Sequence, residues 1–116
     1  MTIPERATQI WPLLALAARN RQILTYEIVA RCIGVPRPAV GGILDPIQKY
    51  CVREGLPPLT ALVVSEDSGL PGHGFTAAAD VPRAQAAVFA FDWLKRAAPS
   101  PEDFEAAGAR TDAVVS

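Results

Sequence analysis

Residues 25–54 read TYEIVARCIGVPRPAVGGILDPIQKYCVRE, and this stretch decides the fold. Thr25 suits a helix start, because its hydroxyl can accept an N–H that the first helical turn leaves orphaned. The helix it opens, Tyr26–Ile33, is predicted to turn Ile28, Val29 and Cys32 inward and to close at Gly34. A Pro-Arg-Pro turn follows. The next helix is predicted over 38–54, with Val40, Ile43, Leu44, Ile47, Tyr50 and Cys51 on one face. Its other face carries Gly41, Gly42, Asp45, Gln48, Lys49 and Arg53. Pro46 is a candidate kink, Gly55 stops the helix, and Pro57-Pro58 prevents its continuation. Two helices joined by a tight turn make a helix-turn-helix.

The flanks extend that unit. Pro4 and Glu5 suit a helix start, and Ile10, Leu13, Leu14 and Ala17 follow at helical spacing, with Pro12 expected to kink the helix or to mark its beginning. Leu59–Val64 favours a strand, Ser65–Gly69 a turn, and Leu70–Phe75 a short returning strand, so the pair is read as a wing. Asp80 caps a helix predicted from Val81 to about Ala97, and Ser100 caps a last short one with Glu102 and Asp103 in its first turn. The expected fold is mainly α with a small β wing: a winged helix-turn-helix over residues 1–108, extended by C-terminal helices over 76–108. Residues 109–116 are read as a loose tail.

The totals are compatible with this. The chain has 116 residues, half of them hydrophobic, which suits one domain with a real core. No apolar run approaches the ~20 residues of a membrane span, and the N-terminus does not read as a signal peptide, so a cytoplasmic protein is expected. Cys32 and Cys51 form no CxxC pair, and the sole histidine is His73, so no metal or cofactor is expected. Both thiols are read as small core hydrophobes. Net charge is −1, but it is divided: residues 1–60 hold seven basic side chains against four acidic, and residues 61–116 hold four against eight. The first half is therefore a candidate for phosphate contact. Two solvated surfaces of opposite sign would look the same.

Several residues in order resemble the DNA-binding domain of the O6-alkylguanine-DNA alkyltransferases and their silent relatives, the alkyltransferase-like proteins. They are Gln9-Ile10-Trp11, Thr25-Tyr26, Val29-Ala30, Gly34, Ala39-Val40-Gly41 with Leu44, Val63-Val64, and Gly72-His73. The resemblance covers about residues 8 to 75. It implies a winged helix that binds DNA, with Tyr26 against the phosphate of an extruded nucleotide. The family keeps its alkyl-accepting thiolate just before the Val-Val pair, where this chain has Leu59-Thr60-Ala61-Leu62. A threonine hydroxyl is far too weakly acidic to replace a thiolate unaided, so alkyl transfer is not expected. Pro38 stands where the family inserts an arginine into the base stack, with Arg37 one residue earlier.

Candidate DNA contacts are then Tyr26, Arg37, Gly41, Gly42, Gln48, Lys49 and Arg53, with His73 on the wing. Arg37 lies where a recognition helix begins, although a turn arginine is often only solvated. Gly41 and Gly42 either admit a nucleic-acid backbone or permit close helix packing. Asp45 on the same face opposes phosphate. The loop Gly69–Gly74 does not suit a phosphate cradle, because Pro71 removes a donor and no Lys-Ser/Thr follows. No carboxylate pair or nucleophile–base set is found, so the chain is not expected to be an enzyme. Double-stranded DNA is the first expected partner. The alternative is a protein-interaction module or homodimer using Phe89, Phe91 and Trp93 on the penultimate helix. Two observations divide these readings: a positive patch joining Arg37, Lys49 and Arg53 favours DNA, whereas an Arg37 tied into an internal salt bridge counts against it.

Overall fold

The computed structural model describes the backbone of residues 1–115 and the side chains of residues 1–108. The chain is mainly α with a small β element, as expected. Helix α1 spans Ile3–Arg19, and its start is a capping box: the Glu5 N–H donates to the Thr2 hydroxyl (3.2 Å), and the Thr2 N–H donates to the Glu5 carboxylate (2.8 Å). Pro12 lies inside the helix, which continues through it instead of starting there. Burial offsets the lost hydrogen bond, since Ile10, Trp11, Leu14, Ala15 and Ala18 all face the core.

Strand β1 (Leu24–Thr25) leads into α2 (Tyr26–Ile33). Thr25 caps α2, accepting the Ile28 N–H at 3.2 Å, and Gly34 closes it in the left-handed region at φ +73°. One 3-10 turn, Arg37–Ala39, then feeds α3 (Val40–Arg53). The helix pair is thus built by the residues that predicted it. Two inward assignments on α2 are corrected: Ile28 is 46% exposed, and Cys32 is an exposed thiol. With only eight residues, α2 packs the narrow face formed by Val29, Ala30 and Ile33.

The β element differs from the expected hairpin. Leu59–Leu62 forms a 3-10 turn, and only Val63–Val64 is extended as β2. It pairs in parallel with β1, Leu24 opposite Val63 and Thr25 opposite Val64. Residues 70–75 form no strand; they loop back over the start of α2, where polar anchors replace ladder bonds. The strand-forming composition of 59–64 reflects full burial instead, because Leu59, Ala61, Leu62 and Val63 lie in the core.

Helix α4 is Val81–Ala90, shorter than predicted. At Phe91 the chain turns extended, and Trp93–Lys95 forms a single 3-10 turn. The break lets Trp93 fold inward to 2% exposure, with its indole N–H donating to the Val88 carbonyl at 2.8 Å. Burying a tryptophan outweighs the few helical hydrogen bonds forgone. Trp93 meets Trp11 edge-on at 5.7 Å, and Tyr50 and Phe104 complete the cluster at 5.6 and 6.0 Å from Trp11. Phe104 comes from α5 (Pro101–Val115), capped by Ser100 and Asp103 in reciprocal hydrogen bonds. Helix α5 runs on through most of the stretch read as a tail; the side chains of 109–115 and all of residue 116 lie outside the described residues. No helix among the described residues is long and apolar enough to cross a membrane.

Candidate functional site

The turn between α2 and α3 brings Tyr26 and Arg37 together. Tyr26 is the first residue of α2, fixed by the Thr25 cap, and the Arg37 guanidinium carbon lies 5.4 Å from its ring centroid. Arg37 also donates through Nε (3.1 Å) and Nη2 (2.7 Å) to one carboxylate oxygen of Glu66. The other oxygen of Glu66 accepts the Glu27 N–H at 2.8 Å, in the first turn of α2. The Arg37 guanidinium, and then the Glu27 amide, hold the Glu66 carboxyl down at about 2. Arg37 is raised in turn by the same contact. The pair is half-exposed, at 43% and 36% of the two side chains, so it is a surface ion pair and not a buried one.

The loop after β2 closes over this pair. The Gly72 N–H donates to the Tyr26 hydroxyl at 2.9 Å, and a Cβ at Gly72 would sit 2.6 Å from that oxygen. Any side chain here would have to push the Tyr26 hydroxyl aside. Gln48 holds the far end: its Nε2 donates to the Gly74 carbonyl (2.9 Å), and its Oε1 accepts the Thr76 and Ala77 N–H groups (2.8 and 3.1 Å).

An open cleft of about 740 Å³ lies between the start of α3 and this loop, lined by Tyr26, Arg37, Gly41, Ser65, Ser68 and His73. Behind it a pocket of about 90 Å³ shares Tyr26, Gly41 and Phe75 with the cleft and adds Asp45, Gln48 and Thr60. The Thr60 hydroxyl is buried with no hydrogen-bond partner, which leaves an acceptor and donor at a site with room for ~3 waters. Cys51 is buried elsewhere, and desolvation pushes its thiol up to about 11, so it is no nucleophile at neutral pH.

Of the residues singled out in the sequence, the structure brings Tyr26, Arg37, Gly41 and His73 to one cleft. Gly42 is exposed on α3, and a Cβ at either glycine of the pair would meet nothing within 4 Å, so packing is not their role. Gln48 is not on an outward face: it is 7% exposed, and its side chain satisfies two N–H groups and one carbonyl of the loop backbone. Lys49 pairs with Asp45 (3.1 Å) and Arg53 with Glu54 (3.3 Å), so the basic patch expected to join Arg37, Lys49 and Arg53 is not formed as free charge. The proposed partner surface also changes, because Trp93 is core and Phe91 packs on it at 4.5 Å, leaving Phe89 half-buried.

Sequence reasoning missed Glu66 and Thr60. Glu66 is 39 residues from the amide it caps, and no local pattern signals a contact at that separation. Thr60 was legible only as the residue standing where a cysteine was sought. Among the described residues no group of three or more His, Cys, Asp or Glu is placed to hold a metal. No protein-family model matches the chain, and neither a curated protein nor a solved structure matches it.

Proposed function

We propose that the chain is a non-enzymatic DNA-binding protein of the alkyltransferase-like kind, which meets DNA with the start of α3 and the cleft beside it. One observation carries this reading. Tyr26, Arg37, Gly41 and His73, scattered over 48 positions, line a single open cleft at the start of the second helix of a helix-turn-helix. Gly41 and Gly42 leave that helix bare where a sugar-phosphate backbone would approach. Arg37 supplies a planar, permanently charged group for phosphate.

The Arg37–Glu66 pair opposes this, and it sets the test. Exposed ion pairs contribute little to stability, so a phosphate can displace Glu66 from Arg37 at small cost. With Lys49 and Arg53 also paired, binding rests on few phosphate contacts and its salt dependence is shallow. The experiment is fluorescence anisotropy with a short labelled duplex at low and physiological salt. Arg37→Ala is expected to weaken binding about ten-fold, the loss of one charge-assisted contact, and Glu66→Gln to tighten it by freeing Arg37. Absence of binding at low salt, or indifference to both substitutions, overturns the reading and turns the search to protein partners.

A further inference from the structure

A second cleft lies on the α4 side of the molecule, away from the Tyr26–Arg37 site. It has a volume of about 280 Å³ and is lined by Arg19, Arg21, Phe89, Phe91 and Asp92, together with Trp93 and Leu94. Its two arginines share with Arg83 alone, among the described cations, the lack of a polar or ring partner. Arg31, Arg37, Lys49, Arg53, Lys95 and Arg96 each have a carboxylate partner, and Arg6 donates to the Ile33 carbonyl at 2.6 Å. Arg19 and Arg21, with Arg83, are the only described Lys or Arg side chains with no hydrogen bond, ion pair or ring contact.

Arg21 is also held where its residue type is costly. Helix α1 ends with the Gln22 N–H donating to the Ala17 carbonyl (2.8 Å) and the Arg21 N–H to Ala18 (3.1 Å), the pattern of a Schellman cap. Arg21 is the left-handed residue of that cap at φ +54°, and it is the sole non-glycine residue at positive φ in the described chain. Glycine is the usual occupant, and a side chain there costs about 1 kcal/mol. The arginine in that strained position lines the same cleft as Arg19.

We infer that this cleft binds a small phosphate monoester, with the phosphate on Arg19 and Arg21 and the organic part against Phe89 and Phe91. Two guanidinium-bearing side chains on one cleft offer the donors that the several acceptor oxygens of a phosphate dianion need. The volume sits just below the usual range of small-molecule sites, ~300–1,000 Å³, which suits a mononucleotide-sized ligand better than a polymer. Asp92 lines the same cleft, but Lys95 lies 3.9 Å from its carboxylate, so the local balance remains positive.

The probes are adenosine 5′-monophosphate, adenosine and inorganic phosphate, titrated calorimetrically into the full chain. The monophosphate is expected to bind at least ten-fold more tightly than adenosine, with inorganic phosphate between them. Arg21→Gly is the decisive variant, because it restores the usual cap residue. It should raise the melting temperature while weakening the monophosphate at least ten-fold, so loss of binding cannot be loss of folding. Arg19→Gln should weaken binding similarly, and Asp92→Asn should tighten it. No binding of the monophosphate at millimolar concentration overturns the inference, as does equal binding by Arg21→Gly. Weaker binding by Asp92→Asn overturns the placement of the phosphate, because a carboxylate that helps the ligand is accepting from its sugar hydroxyls and puts the sugar at that end of the cleft. Arg37→Ala should leave this titration unchanged. If Arg21→Gly instead impairs only duplex binding, the arginines belong to a nucleic-acid surface and the small-molecule assignment falls.

Discussion

Two sides of the molecule are held by different forces. Around Trp11, four aromatic rings from α1, α3, α5 and the Trp93 turn meet at centroid distances of 5.6–6.0 Å, and nearly every neighbour is apolar and buried. Around Tyr26, the loop over residues 65–77 is held by point contacts: one phenol, one glutamine and one ion pair. Packing distributes its energy over many atoms, whereas point contacts concentrate it in a few, each replaceable by a ligand or by water. The first arrangement resists opening, and the second can adapt. Binding surfaces are drawn from the second kind.

Substitutions should rank accordingly. Trp11→Ala empties the centre of the aromatic cluster and is expected to cost about 3–5 kcal/mol in urea unfolding, enough to unfold a marginal domain. If it costs less than the loop substitutions, the contrast between the two sides is wrong. Gln48→Ala removes three hydrogen bonds from the loop and strands the Thr76 and Ala77 amides, for about 1–3 kcal/mol. Those two amides should exchange faster with deuterium while the amides of α1 stay protected, which locates the loss in the loop. Tyr26→Phe keeps the ring beneath Arg37 and deletes one hydrogen bond to Gly72, for about 1 kcal/mol. The smallest change belongs to Glu66→Gln, measured through pH. Because the folded chain holds Glu66 at about 2, below its ordinary 4.5, its contribution is present above pH 4.5 and fades as pH falls toward 2. Glu66→Gln should flatten the stability profile in that window and lower stability slightly at pH 7, where the wild-type contribution is fully present.

Much of the helical frame was legible beforehand. Thr25, Gly34, Asp80 and Ser100 mark helix ends through bonds that span three or four residues, and such local chemistry survives in any tertiary setting. The misreadings share a cause in long-range contact. Leu70–Phe75 looked like a strand because its composition resembles one, but its N–H groups at Leu70, Gly72 and Phe75 bond to the Ser68 hydroxyl, the Tyr26 hydroxyl and the Gly72 carbonyl, not to a neighbouring strand. The periodicity of α4 continued to Leu94 on paper, yet the pull of the Trp11 cluster on Trp93 broke the helix at Phe91. In the cleft, Tyr26, Arg37, Gly41 and His73 were named from the sequence, but Glu66 was not, since its partners lie 29 and 39 positions away.

The sequence by itself determined the caps that open α2, α4 and α5, the glycine that closes α2, the main apolar faces of α1 and α3, and that no thiolate stands before Val63-Val64. Those are properties of neighbouring residues, set by capping, side-chain periodicity and residue chemistry. Tertiary structure alone decided that Arg37 is paired and that Arg19 and Arg21 line one cleft. Arg37, Lys49 and Arg53 read as an open basic face and are each paired, whereas Arg19 and Arg21 read as ordinary surface charge and are left without partners beside a cleft. The reason is physical: an ion pair is defined by distance in space, and the 29 positions between Arg37 and Glu66 carry no local signal of it, whereas Lys49–Asp45 and Arg53–Glu54 are neighbours that helix geometry alone brings together.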